Sequence, residues 1–318
     1  MNRAGAAVFA VAALAAGCGG AEADRVELLH AASLSAFVED QVVPGAREDL
    51  GLRVFAEPEG SVAGAHRIRD GVRRPDLYVT ADPGTVAVLG RFDPGWSIVF
   101  ARGELVIGYA RSGRFAAALD SARSGSVSWE SPLLRSGFRL GRTDPDLDPK
   151  GYRSVWALRE AAAAADSGSV RDRLLAHLAD TASVFPEAGL AVRVGAGQLD
   201  AGMFYLAEAL AHGLGVIRLP PELGQGDPDL ARVYERYEYV TVDGHRVVGR
   251  PIVYALTIPK NAPRPRAAGE LAAWLLGPAG RALLSDEGLP PVVRVLGDPA
   301  RVPAALRDLA GPGSGPAP

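Results

Sequence analysis

The chain has 318 residues, 48% of them hydrophobic, with 34 basic and 37 acidic side chains and a formal charge of −3. That length suits two domains, each with its own core, and basic residues that nowhere cluster exclude a nucleic-acid surface. No run after the N-terminus approaches the roughly eighteen apolar residues of a membrane span, so the mature chain is expected to be soluble.

Residues 1–17 carry one charge, Arg3, followed by an Ala/Val/Leu stretch too short to cross a bilayer, which reads as a signal peptide. Small residues then lead into Cys18, the only cysteine in the chain, which can form no internal disulfide. The pattern resembles a bacterial lipobox, so Cys18 is expected to be lipidated, with 18–25 as anchor and tether. The other end, Gly311–Pro318, reads as flexible, and the tail is taken from 307.

Between these ends strand and helix patterns alternate. Strands are expected at Val26–Ala31, Leu52–Ala56 and Asp76–Thr80, with helices at Leu34–Asp49, which Pro44 should break, at Val62–Asp70, and from Pro83. Ser97–Tyr109 reads as one long strand. Further on come a strand near Arg139–Gly141, helices at Tyr152–Ala165 and Val170–Asp180, and a strand at Leu199–Tyr205 with a helix to His212. Val216–Leu219 is another strand, and Tyr234–Val242 and His245–Val248 form a hairpin through Asp243-Gly244. Arg250–Pro259 reads as a buried strand before helices at Ala267–Leu276 and Pro278–Ser285. Such βαβ repetition predicts α/β architecture with mostly parallel sheets. The two long strands suggest a chain crossing twice between two lobes, 26–103 plus 249–306 and 104–248, with a cleft between them.

Gly141–Ser154, GRTDPDLDPKGYRS, carries the most chemistry. Pro145 and Pro149 bar regular structure before Gly151, so the segment ends at a helix N-terminus, where free N–H groups and the dipole favour an anion. Asp144, Asp146 and Asp148 crowd the same turn, and they equally suit caps and turn formers. Ser33 and Ser61 each sit where a strand gives way to a helix, able either to cap it or to face a ligand. The five histidines show no metal-ligand spacing and suit capping or surface roles, and Gly195-Ala196-Gly197 reads as a turn. HExxH, GxSxG and P-loop patterns do not occur.

The segment DPDLDPKGYR resembles the DPxxDPCGYR signature of tungstate/molybdate substrate-binding proteins of ABC transporters, HAASLS resembles their HAGSLS, and DAGMFY resembles the DAGIVY of molybdate binders. GQLDAGMFYLAEALAHGL, LPPELGQGDP and VVGRPIVYALTIPKNAP look like the same subfamily in the same order. The resemblance spans about residues 26–285. It implies a two-lobed type II periplasmic-binding-protein fold, no cofactor, and a tungstate or molybdate ligand in the cleft. Ser33, Ser61 and Tyr205 would donate hydroxyls, Lys150 and Gly151 would donate N–H groups, and Asp148 would approach the metal centre of the bound oxyanion. Three positions depart from the pattern. Lys150 replaces cysteine, Glu59 stands where SGS begins with serine, and Phe204 stands where the tungstate subfamily places the glutamate of FEY, so Glu59 is a candidate replacement carboxylate. The implied protein is a monomer, tethered by lipid alone, that hands its anion to an ABC permease. Sulfate, phosphate or an organic acid is the alternative ligand. An enzyme using Asp148 or Glu59 as base has no visible nucleophile to support it.

Overall fold

The computed structural model describes residues 24–310. Residues 1–23, which include the expected signal sequence and Cys18, and Gly311–Pro318 lie outside them. In chain order the strands are β1 (Arg25–Ala31), β2 (Arg53–Glu59), β3 (Leu77–Thr80), β4 (Trp96–Arg102), β5 (Leu105–Tyr109), β6 (Leu140–Thr143), β7 (Val184–Phe185), β8 (Ala201–Tyr205), β9 (Gly215–Arg218), β10 (Glu238–Val240), β11 (Arg246–Val248), β12 (Val253–Thr257) and β13 (Pro291–Gly297). They form a six-stranded sheet in the order β13-β4-β12-β3-β1-β2, a five-stranded sheet in the order β7-β6-β8-β5-β9, and the hairpin β10-β11.

Residues of β1 point apolar side chains to both faces, as a strand covered on both sides requires. Val26 and Leu28 enter the main core with Phe37 and Leu271, and Leu29 packs with Ile68 and Leu89 on the opposite face. Pro58 is tolerated in β2 because β2 is the sheet edge.

The run Ser97–Tyr109, expected as one strand, is two. β4 pairs with β12 and β13 in one sheet, and β5 with β8 and β9 in the other. The break falls at Gly103, whose N–H donates to the Ile252 carbonyl at 3.0 Å instead of extending a ladder. Ile252 belongs to the returning segment, and its own N–H donates to the Gln225 carbonyl at 2.7 Å. The outgoing and returning crossings therefore run side by side. Because β12 enters from that crossing, it runs antiparallel to β3 and β4, and both sheets are mixed where mostly parallel ones were expected.

Pro44 does not break the first helical stretch. Val38–Val42 winds as a π turn, the N–H of Val43 reaches back to the Val38 carbonyl, and the helix Val43–Leu50 starts with Pro44 among its first residues. A proline's missing N–H costs nothing there. Two elements leave no periodic mark in the sequence, the half-buried edge strand β13 and the helix Ala304–Ala310. The latter runs into the stretch expected as tail and buries Leu306.

Candidate functional site

Helices start at one end of both sheets and face each other. α1 (Ser61–Arg69) follows β2, α2 (Pro149–Ala164) follows β6, α3 (Glu187–Gly195) follows β7, and α4 (Leu206–Ala211) follows β8. The turn Ala32–Leu34 after β1 packs against α3 and α4. Helix α2 begins earlier than expected, at Pro149, because Asp148 is its N-cap and proline fits the first helical position.

That cap occupies groups expected to meet a ligand. Asp148 Oδ1 accepts the Lys150 N–H at 2.7 Å, and the Asp148 carbonyl accepts the Gly151 N–H at 3.0 Å. Glycine is required at 151 because a Cβ there would stand 2.5 Å from the Asp144 carbonyl carbon, where the turn folds back on its own helix.

Among the described residues, several buried polar atoms in this region have no hydrogen-bond partner: Ser33 Oγ, Asp148 Oδ2, both oxygens of Glu187, and the phenol oxygens of Tyr205 and Tyr254. They belong together in space. The Tyr205 and Tyr254 rings meet edge to face at 6.0 Å. The Ser33 hydroxyl lies close enough to ease ionisation of the Tyr254 phenol, although the two groups do not meet full hydrogen-bond geometry. Burial, with Asp148 and Glu187 nearby, holds the Tyr205 phenol well above its ordinary pKa, although Arg153 pulls the other way. Both phenols therefore stay protonated and able to donate. Ser61 Oγ accepts the Ala81 N–H at 3.1 Å, which leaves its own proton to donate. Unsatisfied buried groups of this kind are expensive and rarely accidental.

Lys150 and Glu208 are buried beside these atoms. Lys150 Nζ lies 2.8 and 2.6 Å from the two oxygens of Glu208, and 3.2 Å from Glu187 Oε1 in a contact that lacks hydrogen-bond geometry. Burial alone would lower the Lys150 pKa, but Glu208, Glu187 and Asp148 outweigh it and raise it. Burial pushes the Asp148 carboxyl up to about 8, reinforced by Glu187 and opposed by Lys150. It pushes Glu208 up to about 7 against the pull of Lys150.

The expected glutamate position, 204, lies elsewhere. Phe204 alternates with Tyr205 along β8 and packs into the apolar cluster with Val106, Leu190 and Val194, on the other face of the strand. Glu59 Oε1 accepts from Arg67 Nη1 at 2.9 Å, and its buried Oε2 has no hydrogen-bond partner. Of the histidines expected at caps or on the surface, His30 and His177 are buried instead. Burial lowers His30 to about 4, and His177 Nε2 pairs with the Leu133 carbonyl at 2.9 Å.

The first turns of α1 and α2 each reach a turn that follows a strand of the opposite sheet. The Ala63 N–H donates to the Leu147 carbonyl at 3.0 Å, and Tyr152 donates its hydroxyl to Asp82 Oδ2 at 2.7 Å. Arg153 Nη2 reaches the same oxygen at 3.2 Å while Nη1 donates to the Arg250 carbonyl at 2.8 Å.

Residues 26–289 match the family of bacterial extracellular solute-binding proteins. The chain belongs to that family. Among relatives of this solute-binding protein, a Haloferax volcanii protein provisionally named an ABC transporter molybdenum-binding protein is 35% identical over 245 residues, 76% of this chain and 75% of its own. The molybdate/tungstate-binding protein WtpA of Thermococcus kodakarensis is 27% identical over 317 residues, 88% of each chain. The Azotobacter vinelandii periplasmic molybdate-binding protein superposes with a TM-score of 0.60 at 16% identity, covering 83% of this chain and 98% of its own. The sulfate-binding protein SubI of Mycobacterium tuberculosis gives 0.53 at 16% identity, with 92% of each chain covered. At that identity the two structures share the fold alone, that of two-lobed type II periplasmic binding proteins. Membership of an extracellular family makes this an exported solute-binding protein rather than an enzyme, and no helix among the described residues is long and apolar enough to cross a membrane.

Sequence reasoning about this solute-binding protein missed Glu187, Glu208, Arg153 and Tyr254. One signal was present. Lysine in the first turn of a helix opposes the dipole, so Lys150 at the start of α2 demands acidic partners. Glu187, directly after Pro186, marks a helix start that was overlooked.

Proposed function

We propose that this protein captures tungstate or molybdate between its lobes and delivers it to an ABC permease. The observation that carries this reading is the convergence of free hydroxyls with free carboxylate oxygens, Ser33, Tyr205 and Tyr254 beside Asp148 Oδ2 and Glu187. Hydroxyl donors suit the oxygens of any oxyanion. Buried carboxylates repel a sulfate or phosphate, whose central atom takes no further ligands. The tungsten or molybdenum centre of an oxyanion does accept carboxylate oxygens, so Asp148 and Glu187 become ligands instead of obstacles. Ser61 donates its free proton, and Ser33, Asp148 and Tyr205 are the residues on which the sequence motifs and the free oxygens coincide. Lys150 and Gly151 contribute by fixing the Asp148 cap. The names of the Haloferax and Thermococcus relatives support the same ligand class.

The lobes in this reading are 26–103 plus 249–306 and 104–248, hinged at the paired crossings near Gly103 and Ile252. Residues 1–17 are a cleaved signal, Cys18 carries the lipid that tethers the protein to the envelope, and it works as a monomer. Thermal melts of the purified mature protein test the ligand. A ligand that binds only the native state raises the midpoint by an amount that grows with its concentration over Kd. Tungstate and molybdate are expected to raise it at micromolar levels, and failure of both at millimolar levels contradicts the proposal.

A further inference from the structure

The buried ammonium of Lys150 sits among three buried carboxylates but treats them unequally. It hydrogen-bonds both oxygens of Glu208, at 2.6 and 2.8 Å, and leaves both oxygens of Glu187 without a hydrogen bond although one lies 3.2 Å away. Its backbone N–H holds Asp148 Oδ1 and thereby leaves Oδ2 free. Glu208 Oε2 also accepts the Tyr205 N–H at 3.4 Å, so the same ion pair ties the start of α2 to the residue that carries one of the free phenols.

We propose that Lys150 is the residue that sets the charge and the carboxylate geometry of the anion site, withdrawing Glu208 into an internal ion pair so that Asp148 and Glu187 alone face the ligand. This inference rests on the oxyanion reading above. In the liganded state, with Asp148 and Glu187 bound as carboxylates and Glu208 cancelled by the ammonium, two negative charges remain, and a metal-centred oxyanion can accept two carboxylate oxygens. Without the ammonium, Glu208 becomes a third, uncompensated carboxylate beside the bound anion. Lys150 acts through its neighbours and is a positioning residue. A buried ion pair broken on one side is costly because the other charge remains, whereas removing both charges together is tolerated far better.

The test is a double-variant cycle on the mature protein, read as tungstate affinity by calorimetry with circular dichroism on each variant. Lys150→Met is expected to weaken tungstate binding on the order of a hundredfold. Glu208→Gln alone should keep affinity within roughly threefold, and Lys150→Met combined with Glu208→Gln should recover most of the loss. A purely structural ion pair would show the same rescue in stability, so the reading rests on tungstate affinity measured on variants that circular dichroism shows to be folded. Unchanged affinity in Lys150→Met, or no recovery in the double variant, overturns the inference. Should Lys150→Met fail to fold, a folded double variant with near wild-type affinity still supports it, and a double variant that folds without binding overturns it. Wild-type protein that binds no tungstate defeats the functional reading itself, a result distinct from wild-type binding that ignores position 150.

Discussion

Asp82 and Arg153 meet across the cleft, Oδ2 to Nη2 at 3.2 Å, with both side chains buried and Tyr152 bonded to the same carboxylate oxygen. Arg153 also holds the Arg250 carbonyl on the returning crossing. One guanidinium thus joins the helix that carries the Asp148 cap, the loop after β3 in the other sheet, and the crossing that links the two. Asp82→Asn keeps the loop's cap chemistry but leaves Arg153 buried without a counterion. Breaking a buried pair on one side costs about 3–5 kcal/mol, and that cost falls on the closed form. Solution X-ray scattering of the variant should show a larger radius of gyration with tungstate present, and its affinity should fall by at least about a hundredfold.

Gly60 tests closure from the opposite side. A Cβ there would stand 2.6 Å from the Leu147 carbonyl oxygen and 3.3 Å from Asp148 Cβ, both in the turn that follows β6 of the other sheet. In the proposed hinge motion this collision arises only on closure. Gly60→Ala is expected to melt within a few degrees of wild type without ligand while losing most of its tungstate affinity and staying extended in scattering. A variant that closes and binds normally would show that Gly60 is not a contact of the bound state.

Legibility of the site in the sequence followed from where its residues lie. The Asp148 turn was readable because proline and glycine punctuate it and aspartate caps the helix behind it. Ser33 and Ser61 were readable because both follow strands that end at one sheet edge. Glu187 and Glu208 were not, because each lies in a helical first turn where acidic residues are ordinary. Their role depends on Lys150, about forty and sixty residues away in the chain. The motif comparison pointed instead to position 204, and strand alternation turns that residue toward the apolar cluster. At the fold level the two long apolar runs revealed the double crossing. The break at Gly103 was invisible because both halves are apolar and only the partner strands differ.

The pH dependence of stability follows from the raised carboxyls. Asp148 at about 8 and Glu208 at about 7 both lie above the ordinary carboxylate range near 4. Burial makes the charged form of each costlier in the folded than in the unfolded chain, so the contribution is complete below pH about 4 and is lost as pH rises through the folded values. Asp148→Asn can keep the helix cap while removing the titration. Relative to that variant, the unliganded wild type is expected to lose stability steadily between about pH 4 and 8. Denaturant melts across that range check it, and a difference that stays flat or reverses would contradict the buried, protonated state of Asp148.

The account stands most directly on Glu187, whose two oxygens are buried and unbonded beside Asp148 Oδ2. Calorimetric titration of wild type and Glu187→Gln with tungstate and with sulfate isolates its role. Tight tungstate binding by wild type, little or no sulfate binding, and a tungstate affinity reduced by on the order of a hundredfold or more in Glu187→Gln is the expected result. Equal affinity of both proteins for tungstate, or sulfate bound as tightly as tungstate by wild type, would contradict a site built around carboxylate contact with the metal centre of the anion.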